Sequence, residues 1–164
     1  MHEGPGRLAT TALFAIAIGP GCSFVLDWDI KPDAGLDPAA CALLEPNDSI
    51  AAAMPIAAGV TGPAAICVAG DLDYYRFSVV DGQTVTITVS FDISNTQDLD
   101  IFVYDSGGTL IASGVTFGPS QEVVTCPGSN PLCPILSTGD YYFLVEGGSP
   151  TVRNLYDITL AITP

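Results

Sequence analysis

The sequence predicts an all-β sandwich, and three observations lead there. The stretch Gln83 to Phe91 (QTVTITVSF) alternates strictly between apolar and hydroxylated residues, the period of a strand with one buried face. Shorter alternating stretches recur after Cys41, separated by Gly, Pro, Asn and Asp. No segment beyond Cys41 has the length and periodicity of a major helix, Ser49 to Ala53 being the one short exception. About seven to nine short antiparallel strands with turn-rich connections bury their apolar rows best as two facing sheets.

The chain opens differently. Leu8 to Ile18 (LATTALFAIAI) is an unbroken small and apolar run behind Arg7, as long as a secretory h-region and short of the ~20 apolar residues that cross a bilayer. Gly19-Pro20-Gly21-Cys22 follows. A cysteine just past such a run resembles the lipobox of bacterial lipoproteins, in which signal removal leaves a lipidated N-terminal Cys. That implies a signal over residues 1–21 and a membrane anchor at Cys22, on an outer membrane or cell surface. Simple cleavage, for instance after Ala17, is the alternative and would leave a periplasmic or secreted protein. Residues 22–40 include DWDIKPDAGLDP, and this Asp-, Pro- and Gly-bearing stretch reads as a flexible tether with Trp28 exposed. The folded domain is expected over 41–164.

Within it, Leu72 to Val80 sets Tyr75, Phe77 and Val79 on one side, and Asp81-Gly82 is expected to turn it as a hairpin into Gln83 to Phe91. There Val85, Ile87, Val89 and Phe91 form the buried row. Leu99 to Tyr104 aligns Leu99, Ile101 and Val103, with Ser106-Gly107-Gly108 turning into Thr109 to Ser113. Ser120 to Thr125, Asp140 to Glu146 and Leu155 to Thr163 complete the series. In the last, Tyr156, Ile158, Leu160 and Ile162 share a face.

Composition removes several functions. The 164 residues carry 18 acids against 4 Lys and Arg, a formal net charge of -14. A polyanion has no basic face with which to neutralise phosphates, which excludes nucleic acid as a partner. The single histidine is His2 and the single lysine is Lys31, so the folded part lacks the groups for serine triads, zinc-histidine sites and Schiff-base chemistry. Setting Cys22 aside leaves Cys41, Cys67, Cys126 and Cys133, an even set suited to an oxidising compartment. Three pairings are formally open. Cys126 and Cys133 bracket only PGSNPL, which favours a local bridge there and a second between Cys41 and Cys67.

Four segments in order resemble the bacterial pre-peptidase C-terminal domain: Glu45-Pro46-Asn47-Asp48-Ser49, Gly70 to Phe77 (GDLDYYRF), Asp98 to Asp105 (DLDIFVYD) and Gly139 to Val145 (GDYYFLV), with Tyr156 near the end. The resemblance implies a jelly-roll-like sandwich that is a noncatalytic accessory module. It also implies calcium, because in the related collagen-binding modules of clostridial collagenases the first two segments together clamp the ion. Here Leu43 stands where those relatives carry a further Glu.

Glu45, Asn47, Asp48, Asp71 and Asp73 are hard oxygen ligands of the kind calcium prefers. Brought together without a cation they would raise one another's pKa values. The same residues also suit a helix N-cap at Asn47-Asp48-Ser49 and a solvated turn at Asp71. Asp98 and Asp100 are expected on the polar face opposite Leu99 and Ile101. Tyr74, Tyr75, Tyr141 and Tyr142 suit the sandwich core and rim, with Tyr74 and Tyr142 the candidates for a ligand-binding strip. The reading is a noncatalytic exported module, not an enzyme, that touches a membrane only through its anchor and recognises an extracellular protein or polysaccharide. A purely structural envelope lipoprotein is the alternative, and a small hydrolase using paired carboxylates is the weakest reading. Mass spectrometry of the mature N-terminus from native membranes is expected to find a diacylglyceryl-modified Cys22; an intact Met1 would contradict the export reading.

Overall fold

The computed structural model describes residue 36 and residues 38–93, 97–128 and 133–164. The apolar run at Leu8 to Ile18, Cys22, Trp28 and most of the expected tether lie outside the described residues. After one helical turn, Pro38–Cys41, and a 3-10 turn, Ile50–Ala52, come nine strands: β1 Met54–Pro55, β2 Gly59–Ile66, β3 Leu72–Val79, β4 Thr84–Phe91, β5 Leu99–Tyr104, β6 Leu110–Gly114, β7 Gln121–Cys126, β8 Gly139–Gly147 and β9 Asn154–Thr163. They form a five-stranded sheet, β1-β3-β8-β5-β6, and a four-stranded sheet, β2-β9-β4-β7. Every pairing is antiparallel except the short β1–β3 pair.

The rows read from the alternation become the core. Tyr75, Phe77, Val79, Leu99, Ile101, Val103, Phe143 and Val145 face Val85, Ile87, Val89, Phe91, Ile158 and Leu160, all buried. Phe143 is fully buried, with ring centroids 5.0 Å from Tyr75 and 6.1 Å from Phe77, spacings at which aromatic pairs attract beyond their burial. Cys41 is bridged to Cys67 and Cys126 to Cys133, with Cα separations of 5.8 and 5.3 Å. These are the pairs favoured by the spacing.

Two expectations are corrected. Asp81-Gly82 does not make a hairpin: β3 pairs with β8 in one sheet while β4 lies between β9 and β7 in the other. The turn carries the chain from one layer to the other, so the two apolar rows meet across the core instead of side by side. A dipeptide that permits positive φ, here Gly82 at 83°, suits either path, and burial of both rows decides between them. Secondly, Gly59–Ile66 is a strand, although GVTGPAAI shows no alternation. It sits at a sheet edge, where proline is tolerated, and its register shifts between Thr61 and Ala64. Gly62 is required there, since a Cβ would stand 3.2 Å from the Asp157 Cα.

β6 and β7 are the edge strands at one end of the two sheets. Glu122 of β7 points inward, 2% exposed, and its Oε1 accepts from the Thr116 backbone N–H at 2.8 Å. An inward carboxylate on an edge strand makes pairing with another chain costly, a known safeguard against aggregation.

Candidate functional site

The segment before β1 docks on the start of β3. The Tyr74 backbone N–H donates to the Asn47 carbonyl at 2.9 Å, so Asn47, 1% exposed, is held against the strand that carries Asp71 and Asp73. The Cys41–Cys67 bridge ties the same segment to the end of β2. Sequence-distant carboxylates are thereby gathered. Glu45 and Asp71 each place a carboxylate oxygen within 4.8 Å of the other and of the Cys67 sulfur, and that sulfur is committed to its disulfide.

Asp71 is not the solvated turn residue that was one expectation. It is buried, and its Oδ2 accepts from the Cys67 and Val68 N–H groups at 2.7 and 3.4 Å while Oδ1 accepts from Leu72 N–H at 3.2 Å. It therefore anchors the turn into β3. Nor is Asn47-Asp48-Ser49 a side-chain cap: Ser49 precedes the 3-10 turn without a capping hydrogen bond. Asp48 is exposed, near enough for its charge to help raise Glu45, whose upward shift comes first from burial.

Asp73, 1% exposed, lies between the two sheets. The Tyr156 hydroxyl of β9 donates to its Oδ2 in a very short hydrogen bond, and the Tyr75 hydroxyl lies 2.7 Å from that of Tyr156. Burial pushes the Asp73 carboxyl up to about 7, with Asp71 and Glu45 adding to the rise and the Tyr156 and Asn47 hydrogen bonds opposing it. The Asn47 amide, oriented by its neighbours, donates to Asp73 Oδ1 at 3.1 Å and to Glu45 Oε2 at 2.8 Å. Turned over, its oxygen would meet the same two carboxylate oxygens at those separations, the ~3 Å spacing of adjacent ligands around calcium at Ca–O distances of ~2.4 Å. Asn47 thus links Asp73 to Glu45, while the carboxylates that approach most closely among the described residues are those of Glu45 and Asp71.

A second feature lies on the outer face of the five-stranded sheet. Strand alternation turns Tyr74 of β3, Tyr142 and Glu146 of β8, and Phe102 and Tyr104 of β5 outward, around Leu144. The Tyr74 and Tyr104 ring centroids are 6.3 Å apart, although their strands are separated by β8. They close over Leu144, which is only 4% exposed. Tyr75 and Tyr141, in contrast, belong to the interior face, Tyr141 stacking on Phe77 at 6.1 Å. Asp100 is on the outer face as expected, while Asp98 at the strand entrance is buried. Its carbonyl accepts from the Gly148 N–H at 2.9 Å, which draws the residue under the β8–β9 turn.

Residues 71–147 match the family model of the bacterial pre-peptidase C-terminal domain. Among solved structures, the chain is similar to the pre-peptidase C-terminal domain of the collagenase from Bacillus anthracis, with 15% identity, a TM-score of 0.52, and coverage of 66% of this chain and 94% of that one. At this identity the likeness is one of fold. The periplasmic inhibitors of g-type lysozyme from Aeromonas hydrophila (15% identity, TM-score 0.48, 68% of this chain and 96% of that one) and Salmonella Typhimurium (16%, 0.43, 67% and 97%) also align. No curated protein matches. The family match begins at Asp71, so Asp71 and Asp73 lie within the matched residues while Glu45 and Asn47 come from the segment docked on them.

Tyr156 is the site residue that alternation alone misplaces. Its row marks it as core, and nothing in that row reveals that its hydroxyl meets Asp73. Because the folded Asp73 value of about 7 exceeds the ordinary 3.8, the folded state holds the proton more tightly, and the resulting stability is lost as pH rises from about 4 through 7. Across that window the change is on the order of 4 kcal/mol. In chelator the melting temperature should therefore fall from pH 4.5 to 7.5 and level off above. Asp73→Asn should flatten this slope, and an unchanged slope would show that Asp73 is not the group responsible.

Proposed function

We propose that the protein is a noncatalytic, exported binding module, anchored through a lipid on Cys22, that recognises an extended extracellular protein or polysaccharide with the outer face of its five-stranded sheet. The observation that carries this reading is the aromatic group of Tyr74, Phe102, Tyr104 and Tyr142 around Leu144. Rigid rings on a sheet give a broad, adaptable contact area at little entropic cost, and their hydroxyls can pair with backbone amides or sugar hydroxyls. Two disulfides suit an oxidising compartment outside the cytoplasm.

Calcium held by Glu45, Asn47, Asp71 and Asp73, with Asp48 close by, would pin the docked segment and replace the proton that Asp73 otherwise needs. It would act on stability and leave the aromatic face to make the contact. Glycan and protein-fibre arrays probed with the purified protein test the recognition role. Reproducible capture of one polymer class is expected, weakened roughly tenfold by Tyr74→Ala or Tyr142→Ala. Absence of capture, or capture indifferent to both variants, would favour a structural envelope component.

A further inference from the structure

The aromatic face runs into a cleft. Where β3 and β8 end together, Leu72 stands opposite Glu146, and residues 70–72 and 146–150 line a half-open space of about 320 Å³, room for one long side chain. The wall on the β8 side is thin by necessity. A Cβ on Gly147 would stand 3.0 Å from the Ser149 carbonyl oxygen and closer still to Val152, and one on Gly148 would stand 3.3 Å from the Asp98 carboxylate.

Negative charge gathers around this space, and no salt bridge to these carboxylates is present among the described residues. Glu146 and Asp71 both line it, the Asp71 carboxylate already accepting from backbone N–H groups. Asp100 is the direct cross-strand partner of Glu146, a like-charged pairing that costs stability. Asp98 is 9% exposed, packs against Gly148, and its Oδ1 has no hydrogen-bond partner among the described residues. Such an orphaned buried oxygen is uncommon and calls for a partner. Burial raises Asp98, Asp100 and Glu146, and Asp100 reaches about 6 with help from the other two; no arginine lowers any of them. Arg76, on the same outer face, is four residues further along β3 from Leu72, roughly 13 Å away.

We propose that this cleft is the subsite for a lysine or arginine side chain of a polypeptide lying along the Tyr74–Tyr104 face. The inference rests on the recognition face proposed above and narrows its ligand to an extended protein segment with a cationic residue. The rings take the aliphatic stem and the neighbouring backbone. The cationic head meets Glu146 with Asp100 behind it, in charge-assisted hydrogen bonds stronger than those a neutral sugar can make.

Amide spectra of the isotopically labelled full chain, titrated with Nα-acetyl-lysine methylamide, test this directly. Saturable shifts are expected at Leu72, Gly147 and Gly148, and none with the uncharged norleucine analogue. Glu146→Gln should weaken the lysine probe at least tenfold, while Asp140→Asn, which removes the same charge at the far end of β8, should leave it unchanged. Shifts scattered over the surface, equal losses in the two variants, or movement of these amides by calcium but not by the lysine probe would overturn the assignment. The two readings fail separately. A polymer whose capture depends on Tyr74 but whose affinity ignores Glu146→Gln removes the cleft and keeps the face, whereas localised lysine shifts without any polymer capture do the reverse.

Discussion

The structure depends on a carboxylate kept where water cannot reach it. Asp73 sits between the sheets, accepts from the Tyr156 hydroxyl of β9, and projects from β3 toward Asn47 and Glu45 of the docked segment. Three separate parts of the chain, β3, β9 and the docked segment, are thereby joined by one side chain. Isolated burial of such a group would cost several kcal/mol, so each neighbour is needed: the Tyr156 hydroxyl donates, the asparagine amide donates, and the raised affinity for a proton settles the remaining charge. The Cys41–Cys67 bridge tethers the docked segment to the end of β2, beside the start of β3.

Around this centre the sandwich divides its duties by face. The inner rows supply the bulk of the hydrophobic stabilisation. The outer face of the four-stranded sheet alternates hydroxylated residues such as Thr86, Thr88 and Ser90 and reads as solvent surface, with Thr86 and Thr125 hydrogen-bonded across β4 and β7 at 3.1 Å. The outer face of the five-stranded sheet instead spends its alternate positions on rings, a choice that stability alone does not demand. Carboxylates border that surface at the β3 and β8 ends, so aromatic contact and negative charge adjoin.

Much of the architecture was legible because a strand with one wet face declares itself. Val85, Ile87 and Val89, and likewise Leu99, Ile101 and Val103, occupy the interior positions their alternation requires. Pairing was less legible. Asp81-Gly82 has the composition of a hairpin, and only burial of both neighbouring rows sends it across the layers. Gly62 and Pro63 interrupt β2 at its register shift and so erase the pattern that would have announced it. In the site, the carboxylates of Glu45 and Asp73 are 28 residues apart in the chain. Their approach was implied by family resemblance, because no local spacing encodes it. Tyr104 was readable as outward-facing, but its meeting with Tyr74 over Leu144 required knowing that β8 lies between their strands.

The account is tested most directly by calorimetric titration of the purified protein with calcium at pH 7 and pH 8.5, in buffers of differing ionisation heat that report protons exchanged. If the ion replaces the proton on Asp73, binding at pH 7 releases a fraction of a proton, and this release fades at pH 8.5 where the carboxylate is already ionised. Calcium that binds at pH 7 with no proton released, or that fails to bind at millimolar concentration, would contradict it.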